Sequence, residues 1–255
     1  MSRIFAQRDN VSVISTDVKD GITVEVFEYT KLQPKTANQG MMQHFAFKEG
    51  LRLRQCVVTL DGTQGVQLSP GAMSYTFGNI TMTTNIQSAG DFMKKLITSS
   101  VTKENVVKPL YTGKGEVGLE PSFKNYLVAE LNDEAYCMDD GLFYAASERI
   151  KIGAKMNKLS TAMLGGEGGL FQLTASGTGL LIIESQVPIN EICIVELNGE
   201  VLTVDGNQAI LWSAGLQYSV EKSSRSLIGS AASGEGLVNV FRGNGMVWLA
   251  PTMRA

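Results

Sequence analysis

Apolar and polar residues alternate along most of this chain in short runs, and glycine, aspartate or asparagine interrupts the runs. A period of two is typical of half-buried antiparallel strands, because successive side chains of a strand point to opposite faces. The first two runs, within residues 11–29, predict a hairpin that turns at Asp20-Gly21. The pattern as a whole predicts an all-β protein with mainly antiparallel strands.

Two stretches depart from this alternation. Residues 90–100 and residues 153–164 carry apolar side chains three or four positions apart, as on one face of a helix. Each stretch therefore predicts one short helix.

One strand pattern occurs three times. The segments CVVTL at 56–60, LVAEL at 127–131 and CIVEL at 193–197 align on one template. The second and third copies continue alike, as LNDEAYCMDDGLFYAAS and LNGEVLTVDGNQAILWSAG, while the first continues more loosely. Similarity at a spacing of about 65 residues indicates one supersecondary unit that is used several times.

Three pairs of glycines one residue apart accompany the repeat. The pairs are Gly113 with Gly115, Gly177 with Gly179, and Gly243 with Gly245. The first two precede the second and third copies of the template, and the last lies at the opposite end of the chain from the first copy. We therefore expect the C-terminal strand, residues 241–252, to complete the first unit and close the sheet, which removes an exposed edge.

The predicted fold is thus one closed pseudo-threefold β domain over residues 1–255, with two short helices. Its repeated units span about 40–110, 111–175 and 176–240. The 27 glycines and only 6 prolines agree with many tight turns rather than with a disordered chain.

Charge and cysteine content exclude some classes of function. The net charge is −3 and the basic residues appear scattered, whereas nucleic-acid binding requires clustered Lys and Arg, so nucleic acid is not an expected partner. The start of the chain lacks the apolar region of a signal peptide, and no apolar run approaches the ~20 residues that cross a bilayer. Cys56, Cys137 and Cys193 are unclustered, which indicates free thiols. We therefore expect a cytoplasmic protein.

The stretch GKGEVG at 113–118 matches the G-x-G-x-x-G pattern of dinucleotide-binding proteins. That pattern requires a strand before it and a helix after it. Here the alternation predicts a strand after it, and the equivalent stretch GTGLLI at 177–182 lacks the last glycine. The stretch therefore favours a turn, and we expect no cofactor.

The densest glycine cluster is LGGEGGLF at 164–171, which lacks the Lys-Ser/Thr of a phosphate-binding loop. It favours a helix end followed by a bulged strand. It is also the candidate loop for a ligand or a partner. The residues of this candidate loop are Gly165, Gly166, Glu167, Gly168 and Gly169.

Histidine and cysteine give no catalytic or metal site. His44 is the only histidine and lies in MMQHFAF, which favours a structural role, because a catalytic imidazole needs a nucleophile beside it. A zinc site would require clustered cysteines. Cys56 and Cys193 share a repeat position at which the second copy has Leu127, and a thiol that leucine replaces is typical of a core.

Two acidic doublets, Asp133-Glu134 and Asp139-Asp140, offer carboxylate pairs of the kind that glycosidases use. The third copy has Asn198-Gly199 and Asp205-Gly206 at these positions, which is typical of turns. We expect turns at all four, and the sequence does not predict an enzyme.

Four motifs in order resemble the mitochondrial biogenesis (altered-inheritance-of-mitochondria) family. They are LSPGAM, LYTGKGEVGLEP, LGGEGGLFQLTASGTG and FRGNGMVWLAP. The resemblance implies a fold like that of the tryptophan-RNA-binding attenuator protein, homo-oligomers, and bacterial members without a settled activity. Mitochondrial relatives are associated with inner-membrane organisation, but this chain shows no presequence, so that location is not carried over. The resemblance transfers no catalytic residue.

Two classes of function stay open. The first is a non-enzymatic scaffold or binding protein that acts through oligomeric β surfaces. Its expected partners are further copies of itself, as a trimer or a multiple of one, and an unidentified protein or membrane-associated assembly. The second is a module that binds a small ligand, a sugar or RNA, which rests on the analogy of fold alone.

Overall fold

The computed structural model describes residues 4–5, 8–84, 108–139, 141–156, 171–205, 208–222 and 237–254. Over these residues the chain forms fourteen strands in one sheet, together with one α-helix and two short 3-10 helices. All the strand pairs in this part of the chain are antiparallel. The prediction of a mainly antiparallel β protein is confirmed.

The strands form an N-terminal hairpin and three groups of four. The hairpin is β1 (Val11–Lys19) with β2 (Ile22–Tyr29), and α1 (Ala37–Lys48) follows it. The first group is β3 (Arg54–Asp61), β4 (Val66–Leu68), β5 (Met73–Thr83) and β6 (Leu110–Leu119). The second group is β7 (Asn125–Met138), β8 (Phe143–Ser147), β9 (Lys151–Met156) and β10 (Phe171–Ser185). The third group is β11 (Cys193–Asp205), β12 (Ala209–Ser213), β13 (Gln217–Lys222) and β14 (Leu237–Leu249). The 3-10 helices are η1 (Ile189–Glu191) and η2 (Pro251–Arg254).

The opening hairpin turns where the sequence predicts. Lys19 pairs with Ile22, so Asp20 and Gly21 are the two turn residues, with φ angles of 49° and 81°. Positive φ at both positions is what a two-residue hairpin turn requires, and Asp-Gly supplies it at low cost.

The sheet is open, so the prediction of a closed domain is wrong. Its strands follow the order β1-β2-β3-β6-β4-β8-β10-β7-β12-β14-β11, with β5, β9 and β13 attached beside this path. The path begins at β1 and ends at β11, and within the described residues these two strands do not pair. The two ends of the sheet therefore present backbone edges to their surroundings.

The C-terminal strand does not complete the first unit. β14 pairs with β11, β12 and β13, all of which belong to the group immediately before it in the sequence. β6 and β10 likewise pair with the other strands of their own groups. Each glycine pair thus lies in the last strand of its own group, and that strand pairs with the template strand that opens the same group. The pseudo-threefold arrangement itself stays a prediction.

The core is divided among the groups in the same order. One apolar cluster lies around β3, β4 and β6, a second around β7, β8 and β10, and a third around β12 and β14. A fourth, small cluster packs Phe5, Phe27 and Tyr29 against Val57. The hairpin therefore covers the outer side of the first group.

The helix predictions are only partly addressed by the structure. Residues 153–156 belong to strand β9, so a helix that begins there is wrong. Residues 157–164 and 90–100 lie outside the described residues. The α-helix that the structure does show, α1, occupies a segment interpreted as alternating apolar and polar positions. It begins after Thr36, whose side chain accepts a hydrogen bond from the backbone N–H of Gln39 and so caps the helix.

Candidate functional site

The glycine pattern at 113–118 lies inside strand β6, and the next element, β7, is also a strand. This context does not fit a dinucleotide site, which needs a helix N-terminus. The predicted turn is also wrong, because these glycines allow β5 to lie close against β6. A Cβ on Gly113 would lie 2.0 Å from the carbonyl oxygen of Asn79, and one on Gly115 would lie 2.1 Å from that of Phe77.

The candidate loop for a ligand or partner, Gly165 to Gly169, lies outside the described residues. The structure therefore neither supports nor contradicts that prediction.

The cysteines at equivalent repeat positions have different environments. Cys56 is fully buried in the first apolar cluster, as predicted, and this burial raises the pKa of its thiol. Cys193 is exposed at the start of β11, so the prediction of a core position is wrong for it. Cys56 is covered because β2 pairs beside it, whereas no described strand pairs on the outer side of β11.

His44 does not lie in the core either. It is exposed on α1, with its ring 5.6 Å from that of Phe45 in an edge-on orientation. The expected structural role rested on alternation in a strand, and the helix instead directs this side chain outward.

The first acidic doublet lies in a β-bulge rather than in a turn. Asp133 is the extra residue where β7 pairs with β10, and its φ of 61° is unusual for a residue other than glycine. Its backbone N–H donates to the hydroxyl of Thr178, and Glu134 accepts a hydrogen bond from the hydroxyl of Tyr136. The equivalent irregularity in β11 lies between Asn198 and Val201. The predicted turns at Asp133-Glu134 and at Asn198-Gly199 are therefore corrected to irregularities within strands β7 and β11. At the second doublet the backbone N–H of Leu142 donates to the carbonyl of Asp139 at 3.4 Å, while Asp140 and Gly206 lie outside the described residues.

The most unusual surface feature is α1, which has no buried residue. Its exposed apolar side chains are Met41, Met42 and Phe45, and Met42 is 73% exposed. A helix of this length is marginal by itself in water, because packing of an apolar face supplies most helix stability in proteins. The exposed apolar side chains of α1 are therefore a candidate interaction surface.

Grooves flank α1 on both sides. One has a volume of about 450 Å³ and is lined mainly by apolar atoms, including Met42, Ala46, Leu51 and Phe123. The other has a volume of about 430 Å³ and passes His44 and Phe47 toward the segment after β2. The apolar area around the helix thus extends beyond the helix itself.

Positive charge surrounds this apolar area. Residues 30–54 contain five basic residues and one acidic residue, which gives +4 in a chain whose total is −3. Arg54 is paired with Glu28 at 2.8 Å, and the Arg52 guanidinium lies over the Phe47 ring. The exposed charges of this segment are those of three lysines, Lys31, Lys35 and Lys48, and of one acidic residue, Glu49. We call the following set the basic surface: Lys31, Lys35, Met41, Met42, Phe45 and Lys48.

The opposite end of the sheet has the opposite charge. Residues 189–205, which form η1 and β11, contain four acidic residues and no basic one. Their exposed apolar side chains include Ile194, which is 51% exposed, and Val201. The backbone N–H of Asn198 donates to the carboxylate of Glu200 and holds the pKa of that group below its usual value. We call the following set the acidic edge: Ile194, Glu196, Glu200, Val201 and Asp205.

Metal-binding clusters and membrane-spanning helices are absent from the part of the chain that the structure describes. The described residues contain no group of three or more His, Cys, Asp or Glu side chains placed to hold a metal ion. They also contain no helix with the length and apolar character needed to cross a membrane.

The sequence interpretation missed both surfaces. A signal for α1 was present in Thr36 and Gln39, since the pattern T-x-x-Q is that of a capping box. The sequence of residues 30–54 also contains an excess of basic residues. That excess does not appear in the net charge of the whole chain, which is negative. The exposure of β11 had no local signal, because its sequence resembles that of the buried strand β3.

Comparison with known proteins gives one family and streptococcal relatives. The profile of the family Mitochondrial biogenesis AIM24 matches residues 45–252. An uncharacterised protein of Streptococcus pyogenes serotype M6 is 28% identical over 228 residues, which cover 87% of this chain and 90% of that protein. A crystal structure of a Streptococcus pyogenes protein superposes with a TM-score of 0.57 at 25% identity, and the match covers 78% of this chain and 88% of that one.

Proposed function

Because this chain belongs to the Mitochondrial biogenesis AIM24 family, with a relative of no assigned activity, we propose that it is a non-enzymatic binding or scaffold protein. It acts as a homo-oligomer through exposed surfaces of its β sheet and of α1. The observation that carries this proposal is the exposure of three large apolar side chains of α1, Met41, Met42 and Phe45. An apolar surface rimmed by charge is typical of a protein interface.

The residue chemistry supports the same proposal. The side chains that the sequence offered for catalysis lie apart: Cys56 is in a core, His44 is on the outer side of α1, and Asp133 forms a bulge. The proposal also places the protein in the cytoplasm, because Cys193 is an exposed free thiol, and such thiols persist in reducing compartments.

The test compares partners bound by the full chain and by a surface variant. Met42→Ser with Phe45→Ser removes exposed apolar area without removing any buried side chain, so folding is preserved. Tagged wild type and variant are recovered from the native cells, and bound proteins, lipids and metabolites are identified together. Lys151→Glu, an exposed change on β9, is the matched control. We expect wild type and control to retain the same partners, further copies of the chain included, and the surface variant to lose them. Equal recovery by all three would contradict the proposal.

A further inference from the structure

Among the described strands, β11 has a pairing partner on one side only, whereas β3 has partners on both sides and β7 has a second partner at its C-terminal end, over Tyr136 to Met138. β3 pairs with β2 on one side and β6 on the other, and β7 pairs with β12 and β10. β11 pairs with β14 alone among the described strands, although it is thirteen residues long. A long strand edge with open backbone groups is a template for pairing with another chain, and folded proteins cover or blunt such edges.

The outward side chains of β11 show the same difference. At the repeat position after the first residue of the template, Val57 is 0% exposed and Val128 packs partly buried against the first cluster. The third copy has Ile194 there, which is half exposed. The apolar residue is present at all three positions, but only in the third do the described residues leave about half of it exposed.

The signs of the charges indicate which surface of a second copy the acidic edge would contact. Two acidic edges facing each other would bring Glu196 and Glu200 of one copy against the same residues of the other, and like charges at an interface are costly. Two basic surfaces would likewise oppose Lys31, Lys35 and Lys48 to themselves. The acidic edge and the basic surface are complementary in sign, and each combines exposed apolar side chains with charge.

Their positions in the fold make this contact head to tail. The acidic edge is at the β11 end of the sheet, while α1 connects β2 to β3 near the β1 end. The segment before α1 is held at that end because the side-chain amide of Asn10, just before β1, donates to the carbonyl of Lys31 at 3.1 Å. One copy therefore carries the two complementary surfaces at different places, which suits a heterologous contact between copies.

We propose that the acidic edge of one copy docks on the basic surface of the next, so that copies associate head to tail. This inference rests on the proposed homo-oligomer and names the two surfaces that form it. A heterologous contact closes into a ring when the rotation between copies permits it, and otherwise continues as a filament. The open sheet of one chain is then covered at its β11 end by the neighbouring copy.

Charge reversal tests this pairing. The basic-surface variant is Lys35→Glu with Lys48→Glu, the acidic-edge variant is Glu196→Lys, and the swap variant combines them. These side chains are exposed, and Lys151→Glu is the control on β9. Mass is measured by light scattering over a range of concentrations, with circular dichroism to verify folding. We expect each single-surface variant to weaken association by about tenfold or more and the swap variant to recover much of it.

The outcomes separate this inference from the proposed function. A wild type that stays a 27.5 kDa monomer at micromolar concentration overturns the homo-oligomer itself. A stable wild-type oligomer that neither variant weakens, or that the swap variant fails to recover, overturns the pairing of these two surfaces and leaves the homo-oligomer in place. Association that weakens as salt rises to about 1 M, where the Debye length is about 3 Å, supports the pairing, and association that strengthens counts against it.

Discussion

Gly245 of β14 lies directly opposite Leu197 of β11 in the pairing of the two strands. The same relationship joins Gly179 to Leu131 and Gly115 to Leu60. All three leucines are buried, and each is the last residue of one of the five-residue template segments, 56–60, 127–131 and 193–197. The second glycine of each pair therefore occupies the same position relative to the template segment in all three groups. There it also allows a further strand or its connection to approach, since a Cβ on Gly245 would lie 2.7 Å from the Cβ of Ser213.

Replacing these glycines with alanine should destabilise the fold. Gly115→Ala places a Cβ 2.1 Å from the Phe77 carbonyl oxygen, at a φ of 157°, so we expect a loss of about 1–3 kcal/mol or more in the free energy of unfolding. Urea unfolding measures it. Gly215→Ala is the control, because nothing lies within 4 Å of its Cβ, and its effect should stay within about 0.5 kcal/mol. Equal effects at both positions would contradict the close-approach explanation.

Phe241 should matter more for stability than Trp248. Phe241 is fully buried against Trp212 and Tyr218, with ring centroids 5.3 and 5.4 Å away, whereas Trp248 is only partly buried. We therefore expect Phe241→Ala to cost about 3–5 kcal/mol and Trp248→Ala clearly less. Thermal melting of both variants decides the order, and a larger loss for Trp248→Ala would show that additional contacts cover this indole.

The three thiols should differ in reactivity. Cys193 is exposed, whereas Cys56 and Cys137 are fully buried, and burial raises the pKa of the Cys56 thiol so that little reactive thiolate forms. A thiol reagent should therefore titrate one group in the folded protein, at a concentration low enough to keep it monomeric, and three in denaturant. Cys193→Ser is the control and should abolish the native reaction. A rapid native reaction in that variant would place one of the other thiols nearer the surface.

Asp61 should titrate below its ordinary pKa. The hydroxyl and backbone N–H of Thr63 donate to its carboxylate at 2.7 and 2.8 Å, and they lower the pKa of this group. A depressed pKa means that the hydrogen-bonded carboxylate stabilises the fold above the unfolded value near 3.8, and that this contribution is lost as the pH falls through the folded value.

Thr63→Val tests this titration because it removes the hydroxyl donor. We expect the pKa of Asp61 to rise in an NMR titration, and the difference in melting temperature from wild type to shrink as the pH falls below about 4. Thr81→Val, an exposed change on β5, is the control and should leave the Asp61 pKa unchanged. A pKa that does not move in Thr63→Val would assign the shift to the backbone donor alone.

The exposed thiol of Cys193 gives a direct check of the head-to-tail contact. Met42→Cys adds a second exposed thiol on the basic surface, and bismaleimides of several lengths should then link Cys193 of one copy to position 42 of another. Wild type has only Cys193 exposed and should give no linked dimer. A linked wild-type dimer would instead indicate two acidic edges in contact. Peptide mass spectrometry identifies the linked positions.

The sequence by itself determined the local features of this protein. The period-two alternation predicted antiparallel strands, and Asp20-Gly21 predicted the first turn, because side-chain alternation and positive φ are properties of neighbouring residues. The three template segments and the glycine pairs could also be recognised in the sequence, because each is a pattern of residues that are close together along the chain. In the structure these residues lie opposite each other, with Gly115 facing Leu60 and Gly245 facing Leu197.

The tertiary structure alone decided which strands meet and which residues stay exposed. Val57 pairs with Gly118 across a long stretch of chain, and no local pattern states that β6 belongs to β3 rather than to β7. Cys56 and Cys193 occupy the same place in the repeat, yet one is buried and the other exposed, because burial depends on the neighbouring strand and not on the residue. The open edge at β11 follows from the same cause: strand pairing is non-local, so a sequence pattern that predicts a strand does not say whether a partner will cover it.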